Sequence, residues 1–352
     1  MPEVRRVQKF GRSTLMISLP SSWVKSVGLS PGDTVSIEVL EDGTLRLAPI
    51  TMLQKKKEKR LTIRVGQGSS ESLLIRAIYA GYILGMDTIV VETTGGILSE
   101  SHLRVIRSTV RALIGAEIIE NTPNKITIQV LIDASKYSAA TIIGRMANLV
   151  KFMIQHIQIA LLDNKPYLLR EVLELESEVD RLHALTVRQL LLSQTNRTLG
   201  RYLGIKPSLA TEYRGVVRAF EEAADALSAA AEILVKGGVD VVRKLQATKD
   251  LLKECLDTLL LIVDRIDKCL KNLNPYLVNE VLNLIKEYHG HLKKYNELVF
   301  RELGLDEAYL TIREFSDRLY EVSREMETIA ETAFDIAIEK TGEVLDISRT
   351  YV

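Results

Sequence analysis

Short runs of alternating apolar and polar residues occupy the first fifty positions, with turn residues between them. Leu15, Ile17 and Leu19 alternate with polar neighbours, which is the period of a half-buried strand. The pattern predicts strands at residues 4–10, 14–19, 34–40 and 44–48. Asp42-Gly43 is a strong hairpin signal between the last two of them.

One short helix is predicted inside this β-rich unit. Pro20-Ser21-Ser22 resembles a helix start in which a hydroxyl caps free N–H groups, and Gly28 ends the segment. A unit of about 50 residues buries little core by itself. We therefore expect the unit to dimerise.

Residues 60–133 change to an alternation of strand and helix patterns. Strands are predicted at 61–65, 88–92, 117–120 and 125–131, and helices at 71–84 and 100–114. The order is βαβαββ, which predicts an α/β domain. Gly81 lies on the apolar face of the first of these helices and leaves room for a close neighbour.

No strand pattern follows Ser138. Six amphipathic segments are predicted as helices, at 138–163, 166–195, 208–236, 239–272, 275–303 and 307–340. The second has seven-residue spacing at Leu168, Leu175 and Leu182. Gly237-Gly238 is the predicted break between the third and the fourth. Six helices with short connections predict one or two packed bundles.

The six helices resemble a duplicated set of three. Arg218 and Glu221 match Arg324 and Glu327 at an offset of 106 positions. Residues 187–190 match 300–303 at an offset of 113, which a loop longer by seven in the first half explains.

Charge is balanced over the whole chain but not along it. The 46 basic side chains equal the 46 acidic ones. Residues 1–60 carry 11 basic and 6 acidic side chains, a net charge of +5, so the remainder carries −5. The neutral total excludes a protein that coats nucleic acid through overall charge, and the 46% hydrophobic content excludes bulk disorder.

Other sequence features exclude whole classes of protein. No apolar run reaches the roughly 18 residues of a membrane span, and no signal-peptide pattern begins the chain, so we expect a cytoplasmic protein without membrane insertion. Cys255 and Cys269 are the only cysteines, too few for a four-cysteine zinc site. No P-loop, dinucleotide fingerprint or Ser/His/Asp order is found, and we expect no enzyme: a metal-dependent hydrolase lacks a positioned nucleophile or base.

Acidic pairs are the main candidate for chemistry. Each pair is four residues apart, so both carboxylates lie on one helical face. The pairs are Glu176 with Asp180, Glu221 with Asp225, and Glu327 with Glu331. The first two pairs lie at the edge of an apolar stripe, and His183 joins the first. A cation between facing helices would offset their repulsion. The alternative is a solvated acidic helix flank.

Basic residues of the N-terminal unit are the second candidate: Arg5, Arg6, Lys9, Arg12 and Lys25. Strand alternation cannot place all five on one face. A dimer would double the group to ten, and counterion release from DNA scales with such contacts. The alternative is scattered charges that serve solubility.

Two resemblances cover most of the chain. Residues 5–12, Ser18-Leu19-Pro20, Gly28-Leu29 and Gly32-Asp33 resemble the AbrB/SpoVT-type swapped-hairpin DNA-binding domain. That family forms an intertwined dimer whose basic N-terminal strand and loop meet DNA. The resemblance implies a homodimer and DNA contacts by Arg5, Lys9, Arg12 and Lys25.

Residues 138–340 resemble PhoU, a regulator of phosphate uptake with two three-helix repeats and E(D)xxxD motifs that hold metal clusters. Residues 176–180, 221–225 and 327–331 match these motifs. The fourth motif is missing, because His289 and Lys293 stand where Glu176 and Asp180 would recur. The resemblance implies divalent or ferric metal ions at the acidic motifs. The combination with the α/β insert is similar to archaeal PhoU-like proteins.

These observations predict a multidomain fold. Residues 1–51 are a swapped-hairpin DNA-binding and dimerisation domain, 52–59 a basic linker, 60–136 an α/β (βαβαββ) domain of unknown role, and 137–345 an all-α, six-helix PhoU-like bundle with repeats at 138–236 and 239–340.

Two functions follow from this architecture. The first is a homodimeric transcriptional regulator of phosphate uptake, whose helical domain senses metal, phosphate or a transporter subunit. The alternative is an interaction protein that binds the ATPase of a phosphate transporter and uses its N-terminal domain only to dimerise.

Overall fold

The computed structural model describes residues 3–39, 43–51, 58–93, 95–132, 137–245, 248–304 and 306–341, together with Leu345 and Ile347. The chain divides into two compact units, residues 1–58 and 59–352. Each unit is considered separately below.

The described residues of the first unit include two antiparallel hairpins and one seven-residue helix. Strand β1 (Gln8–Phe10) pairs with β2 (Thr14–Met16), and β3 (Val35–Val39) pairs with β4 (Leu45–Pro49). β1 and β2 are shorter than the predicted 4–10 and 14–19, whereas β3 and β4 lie within one residue of the predicted bounds. Glu41 and Asp42 of the predicted turn, and most of the predicted linker, lie outside the described residues.

Helix α1 (Ser21–Val27) ends at Gly28, whose left-handed backbone (φ 66°) confirms the predicted stop. The predicted hydroxyl cap is wrong: Pro20 occupies the N-cap position, and no side chain accepts a hydrogen bond there. Ser21 is already the first helical residue, so its hydroxyl lies past the position from which a cap forms.

The α/β domain has the predicted βαβαββ order. Its elements are β5 (Arg60–Val65), α2 (Glu71–Ile83), β6 (Thr88–Thr93), α3 (Glu100–Arg111), β7 (Ala116–Thr122) and β8 (Lys125–Val130). The sheet order is β5-β6-β8-β7, with β5 and β6 parallel. Both helices share one core with the sheet face that contains Ile89 and Ile126. A Cβ on Gly81 would lie 2.8 Å from Leu61, which confirms the predicted close approach.

Six long helices form the remainder of the second unit. They are α4 (Ala139–Leu162), α5 (Leu168–Thr195), α7 (Ala210–Leu245), α8 (Lys249–Asn272), α9 (Pro275–Leu303) and α10 (Glu307–Thr341). They enclose one large apolar core. Among the described residues, no helix has the length and apolarity that a membrane crossing requires.

Two details of this helical region differ from the prediction. A short helix, α6 (Arg197–Leu203), follows α5 and was not predicted. The predicted break at Gly237-Gly238 is confirmed, because Gly238 has a non-helical backbone (φ 65°, ψ −163°) and separates two helical stretches within the span of α7. The predicted fourth helix, 239–272, is divided: a short helical stretch ends at Leu245, and α8 begins at Lys249.

Candidate metal centre and basic surface

Helices α5 and α7 bring two of the predicted acidic pairs together. Apolar residues of both helices, among them Val179 and Phe220, are buried in the common core. This packing leaves the carboxylates at the rim of the contact. Asp180 groups with Asp225, and three residues further along α5 His183 lies opposite Glu221. Residue numbers rise on one helix as they fall on the other, so the pair is antiparallel.

Five side chains form what is called here the acidic cluster: Glu176, Asp180, Glu221, Glu222 and Asp225. Carboxylate oxygens of Glu176, Asp180 and Asp225 lie within 4.8 Å of one another. The same holds for Glu221, Glu222 and Asp225. Asp225 belongs to both groups, so the arrangement has room for two neighbouring cations that share this carboxylate. Glu222 is an addition to the residues predicted from the sequence.

Among the described residues, the group of Glu176, Asp180 and Asp225 lacks a close ion pair, although the charge of Arg218 partly opposes the raised pKa values of Asp180 and Asp225. No basic side chain of the described residues forms an ion pair with these three carboxylates. Burial, followed by the charges of Glu176 and Asp225, raises the pKa of Asp180 to about 7. Burial and Asp225 also raise the pKa of Glu176. One oxygen of Asp180 is buried without a hydrogen-bond partner. Oxygen donors with this charge suit hard divalent cations and iron.

The second group is partly neutralised by Arg218. Its guanidinium lies 3.1 Å from Oε2 of Glu221 and also pairs with Glu222. Burial nonetheless raises the pKa of Glu221 to about 7, against the lowering effect of Arg218. The Glu221 side chain is only 14% exposed, whereas that of Arg218 is 56% exposed. Arg218 can therefore turn into solvent if a cation replaces it.

His183 extends the cluster by one helical turn. Its Nδ1 lies 3.8 Å from Oε1 of Glu221. Burial, assisted by Arg218 and Arg214, lowers the pKa of His183 to about 4, so the imidazole is neutral at physiological pH. The sequence predicts that His183 lies beside the first acidic pair, because it follows Asp180 by three residues on the same helix.

The second repeat does not reproduce the cluster. Glu327 pairs with Arg324 at 2.6 Å, as Glu221 does with Arg218, but Glu331 is exposed. Within the described part of the chain, no third acidic side chain, cysteine or histidine joins these two carboxylates in a metal-binding group. His289 contacts Ser323 Oγ through Nε2 at 3.0 Å. Metal binding at Glu327 and Glu331 stays an untested prediction from the sequence, and the geometry of the described residues does not favour it.

Helix α2 of the α/β domain packs on α5 beside the cluster. The buried Arg188 donates a hydrogen bond to the carbonyl of Tyr82, near the C-terminus of α2, and lies 5.1 Å from the centre of its ring. A Cβ on Gly85 would approach Leu192 to 2.5 Å. Burial and the charges of Asp180 and Glu221 raise the pKa of Tyr79 to about 12, so Tyr79 lies near the cluster.

This contact between domains was missed from the sequence. The available signal was Arg188, a charged residue within an otherwise apolar stretch of α5.

All five predicted DNA-contacting side chains are exposed. Arg5 and Arg6 precede β1, Lys9 is opposite Leu15 in the β1–β2 pair, Arg12 is in the turn and Lys25 is on α1. Arg5 pairs with Glu3 at 2.5 Å. Because they occupy a strand, a turn and a helix, a single chain does not gather all five on one strand face.

The structure thus defines a protein with a small basic β unit and a larger unit whose helices hold an acidic cluster. Comparison with family models finds a match in each of these two units. A model for MazE, described as antidote-toxin recognition and a bacterial antitoxin, matches residues 8–55, and the PhoU domain model matches residues 143–234. The chain carries an N-terminal MazE/AbrB-type domain and a PhoU domain, which confirms the predicted architecture.

The PhoU match covers the first repeat, including the whole acidic cluster. Both families are regulatory domains without enzymatic activity. No curated protein and no solved structure matches the chain.

Proposed function

We propose that this protein is a homodimeric, DNA-binding transcriptional regulator of phosphate uptake whose helical domain binds a divalent or ferric cation. The two domain matches support a regulator of phosphate homeostasis. The observation that carries the finer proposal is the convergence of acidic pairs from α5 and α7 on a chain that also has a basic MazE/AbrB-type domain.

Dimerisation of the N-terminal unit is supported by its exposed apolar side chains. Phe10 is 64% exposed, Leu15 70%, Ile37 64% and Val39 72%. An isolated two-stranded hairpin is marginally stable in water. A second copy would cover these side chains and complete both hairpins, as the swapped-hairpin resemblance implies.

DNA binding is supported by the charge and exposure of the same unit. Lys9, Arg12 and Lys25 are exposed and have no ion-pair partner among the described residues. A dimer would present two such groups to a two-fold related site, and neutralised phosphates would release counterions. The acidic helical domain has the opposite charge and would not compete for the duplex.

The α/β domain is the segment between the two other parts in sequence, and Tyr79 of its helix α2 lies beside the acidic cluster. A cation bound at the cluster would neutralise carboxylates whose charges act on Tyr79, so its binding would alter the electrostatic environment of α2. We assign the α/β domain the role of passing this change along the chain.

A second candidate function is an interaction protein that regulates the ATPase of a phosphate transporter. A groove of about 480 Å³ between α9 and α10 supports it. Phe300 and Tyr320 line this groove and are 49% and 44% exposed, which is typical of a protein contact. Lys293 lines the same groove.

Salt-dependent DNA binding distinguishes the two functions. Fluorescence anisotropy would measure binding of the full-length protein to duplexes from promoters of phosphate-transport genes. The Arg5→Ala, Lys9→Ala, Arg12→Ala variant removes six charges per dimer. We expect at least tenfold weaker binding and a salt slope reduced by up to about 5.

A matched triple variant of exposed helical residues, Lys165→Ala, Arg170→Ala and Lys286→Ala, should bind like the wild type. If the N-terminal variant also binds with unchanged affinity and salt slope, DNA binding by this domain is refuted and the interaction function is favoured.

A further inference from the structure

His183 is the buried residue beside the acidic cluster that the PhoU-type motifs do not include. Its exposed fraction is 8%, and Nδ1 is buried without a hydrogen-bond partner. This nitrogen faces Oε1 of Glu221 at 3.8 Å. Leaving a buried polar atom unpaired costs on the order of 1–3 kcal/mol, so such an atom aimed at a carboxylate indicates a missing partner.

Other histidines of the chain lack this combination. His102 and His289 have polar partners through Nε2, at 3.2 Å from the Ser69 carbonyl and 3.0 Å from Ser323 Oγ. His291 faces a single carboxylate, Glu254, and its side chain is 32% exposed. His156 has an unpartnered Nδ1 but forms no ion pair with a carboxylate among the described residues. Of the five histidines, His183 alone is buried with an unpartnered nitrogen that faces a carboxylate of the acidic cluster.

Besides Glu221, the charged neighbours of the imidazole are Arg218, Arg214 and Glu222. A neutral imidazole has a lone pair for a metal ion, which is the form that binds metals in proteins.

The 3.8 Å between His183 Nδ1 and Glu221 Oε1 fits one cation bound by both atoms. Metal–nitrogen and metal–oxygen bonds of about 2.1 Å each reach across as much as about 4.2 Å. A cation can therefore touch His183 Nδ1 and Glu221 Oε1 without a shift of either helix. Arg218, which now contacts Glu221, is exposed enough to leave.

We propose that His183 is a nitrogen ligand of the cation site, shares its metal with Glu221, and makes the site prefer transition metals over magnesium and calcium. Imidazole nitrogen suits zinc, iron, nickel and copper, whereas a site of carboxylates alone suits magnesium, calcium and manganese. This inference rests on the proposed metal-binding function and deepens it by naming the class of metal.

Metal affinity and X-ray absorption test the role of His183. Isothermal titration of the full chain with Zn²⁺ and separately with Mg²⁺ would compare the wild type with His183→Phe and His183→Gln. Phenylalanine keeps a ring of similar shape without a donor, and glutamine serves if the phenylalanine variant does not fold. The control is His289→Gln, which removes a histidine from the second repeat.

We expect Zn²⁺ affinity to fall at least tenfold in both His183 variants, with Mg²⁺ affinity unchanged within twofold. The His289 variant should match the wild type for both metals. At the zinc K-edge, the wild type loaded with one equivalent should show outer-shell scattering from an imidazole ring, and His183→Gln should lose it.

Two results would overturn the proposal in distinguishable ways. If the wild type binds Zn²⁺ but the His183 variants bind it equally well, or keep the imidazole scattering, then His183 is not a ligand and the carboxylate site stands alone. If the wild type binds no metal at all, the proposed metal-binding function fails together with this inference.

Discussion

The two halves of the helical domain share an arginine–glutamate ion pair but differ in whether further carboxylates gather beside it. Arg218 pairs with Glu221 in the first half and Arg324 with Glu327 in the second, with identical spacing. In the first half, α5 contributes Glu176 and Asp180, which group with Asp225 of α7 within 4.8 Å and form no ion pair among the described residues. At the corresponding positions of α9 the second half has His289 and Lys293.

This difference teaches that a single acidic helix motif does not make a cation site. One carboxylate neutralised by an arginine three residues earlier is a satisfied surface ion pair, worth at most about 1 kcal/mol. A further cation is favoured where a second helix adds carboxylates that form no ion pair with a basic side chain. Glu176, Asp180 and Asp225 of the first half meet that condition, and the described residues of the second half form no such group.

The largest effect on metal affinity should come from removing carboxylates of the first half. We expect Glu176→Gln with Asp180→Asn to lower Mn²⁺ affinity at least 100-fold, because two of three ligands in the uncompensated group lose their charge. The matched variant, Glu327→Gln with Glu331→Gln, should change affinity less than twofold. Equilibrium dialysis measures both, and equal losses in the two variants would remove the distinction between the halves.

A smaller effect should appear in the pH dependence of stability without metal. The raised pKa values of Asp180 and Glu221 mean that the folded state binds more protons than the unfolded state between about pH 4 and 7. The free energy of unfolding contributed by these groups therefore falls as pH rises through this window and levels off above about pH 8. At pH 8 we expect the free energy of unfolding of Asp180→Asn to exceed that of the wild type by about 2 kcal/mol.

The same two proteins should differ much less at pH 4, where Asp180 is protonated in the folded chain and close to half protonated in the unfolded chain. Urea unfolding at several pH values checks this, with the exposed Asp335→Asn as control. A saturating divalent cation should abolish the advantage of Asp180→Asn at pH 8. A constant difference between wild type and variant across the pH range would contradict the assigned electrostatics.

Sequence periodicity predicted the helices and the faces on which the acidic pairs lie. Glu176 with Asp180 and Glu221 with Asp225 meet because their position at the edge of an apolar stripe determines how two packed helices present them. The same reasoning added His183, three residues after Asp180. Local spacing is enough for these residues because a helix fixes the relative direction of side chains three and four positions apart.

Features that depend on distant contacts could not be predicted in this way. The docking of α2 on α5 through Arg188 joins residues over 100 positions apart, and no local pattern specifies such a pair. Gly237-Gly238, in contrast, is a local signal, and the chain leaves the helical conformation at Gly238 as predicted.

The most direct test of the account is the position of a bound cation. Crystals of the full chain equilibrated with Mn²⁺ would be measured by anomalous scattering near the manganese edge. The account predicts a peak within about 2.5 Å of carboxylate oxygens from Glu176, Asp180 and Asp225, and none at Glu327 and Glu331. No peak in the first half, or an equally strong one in the second, would contradict it.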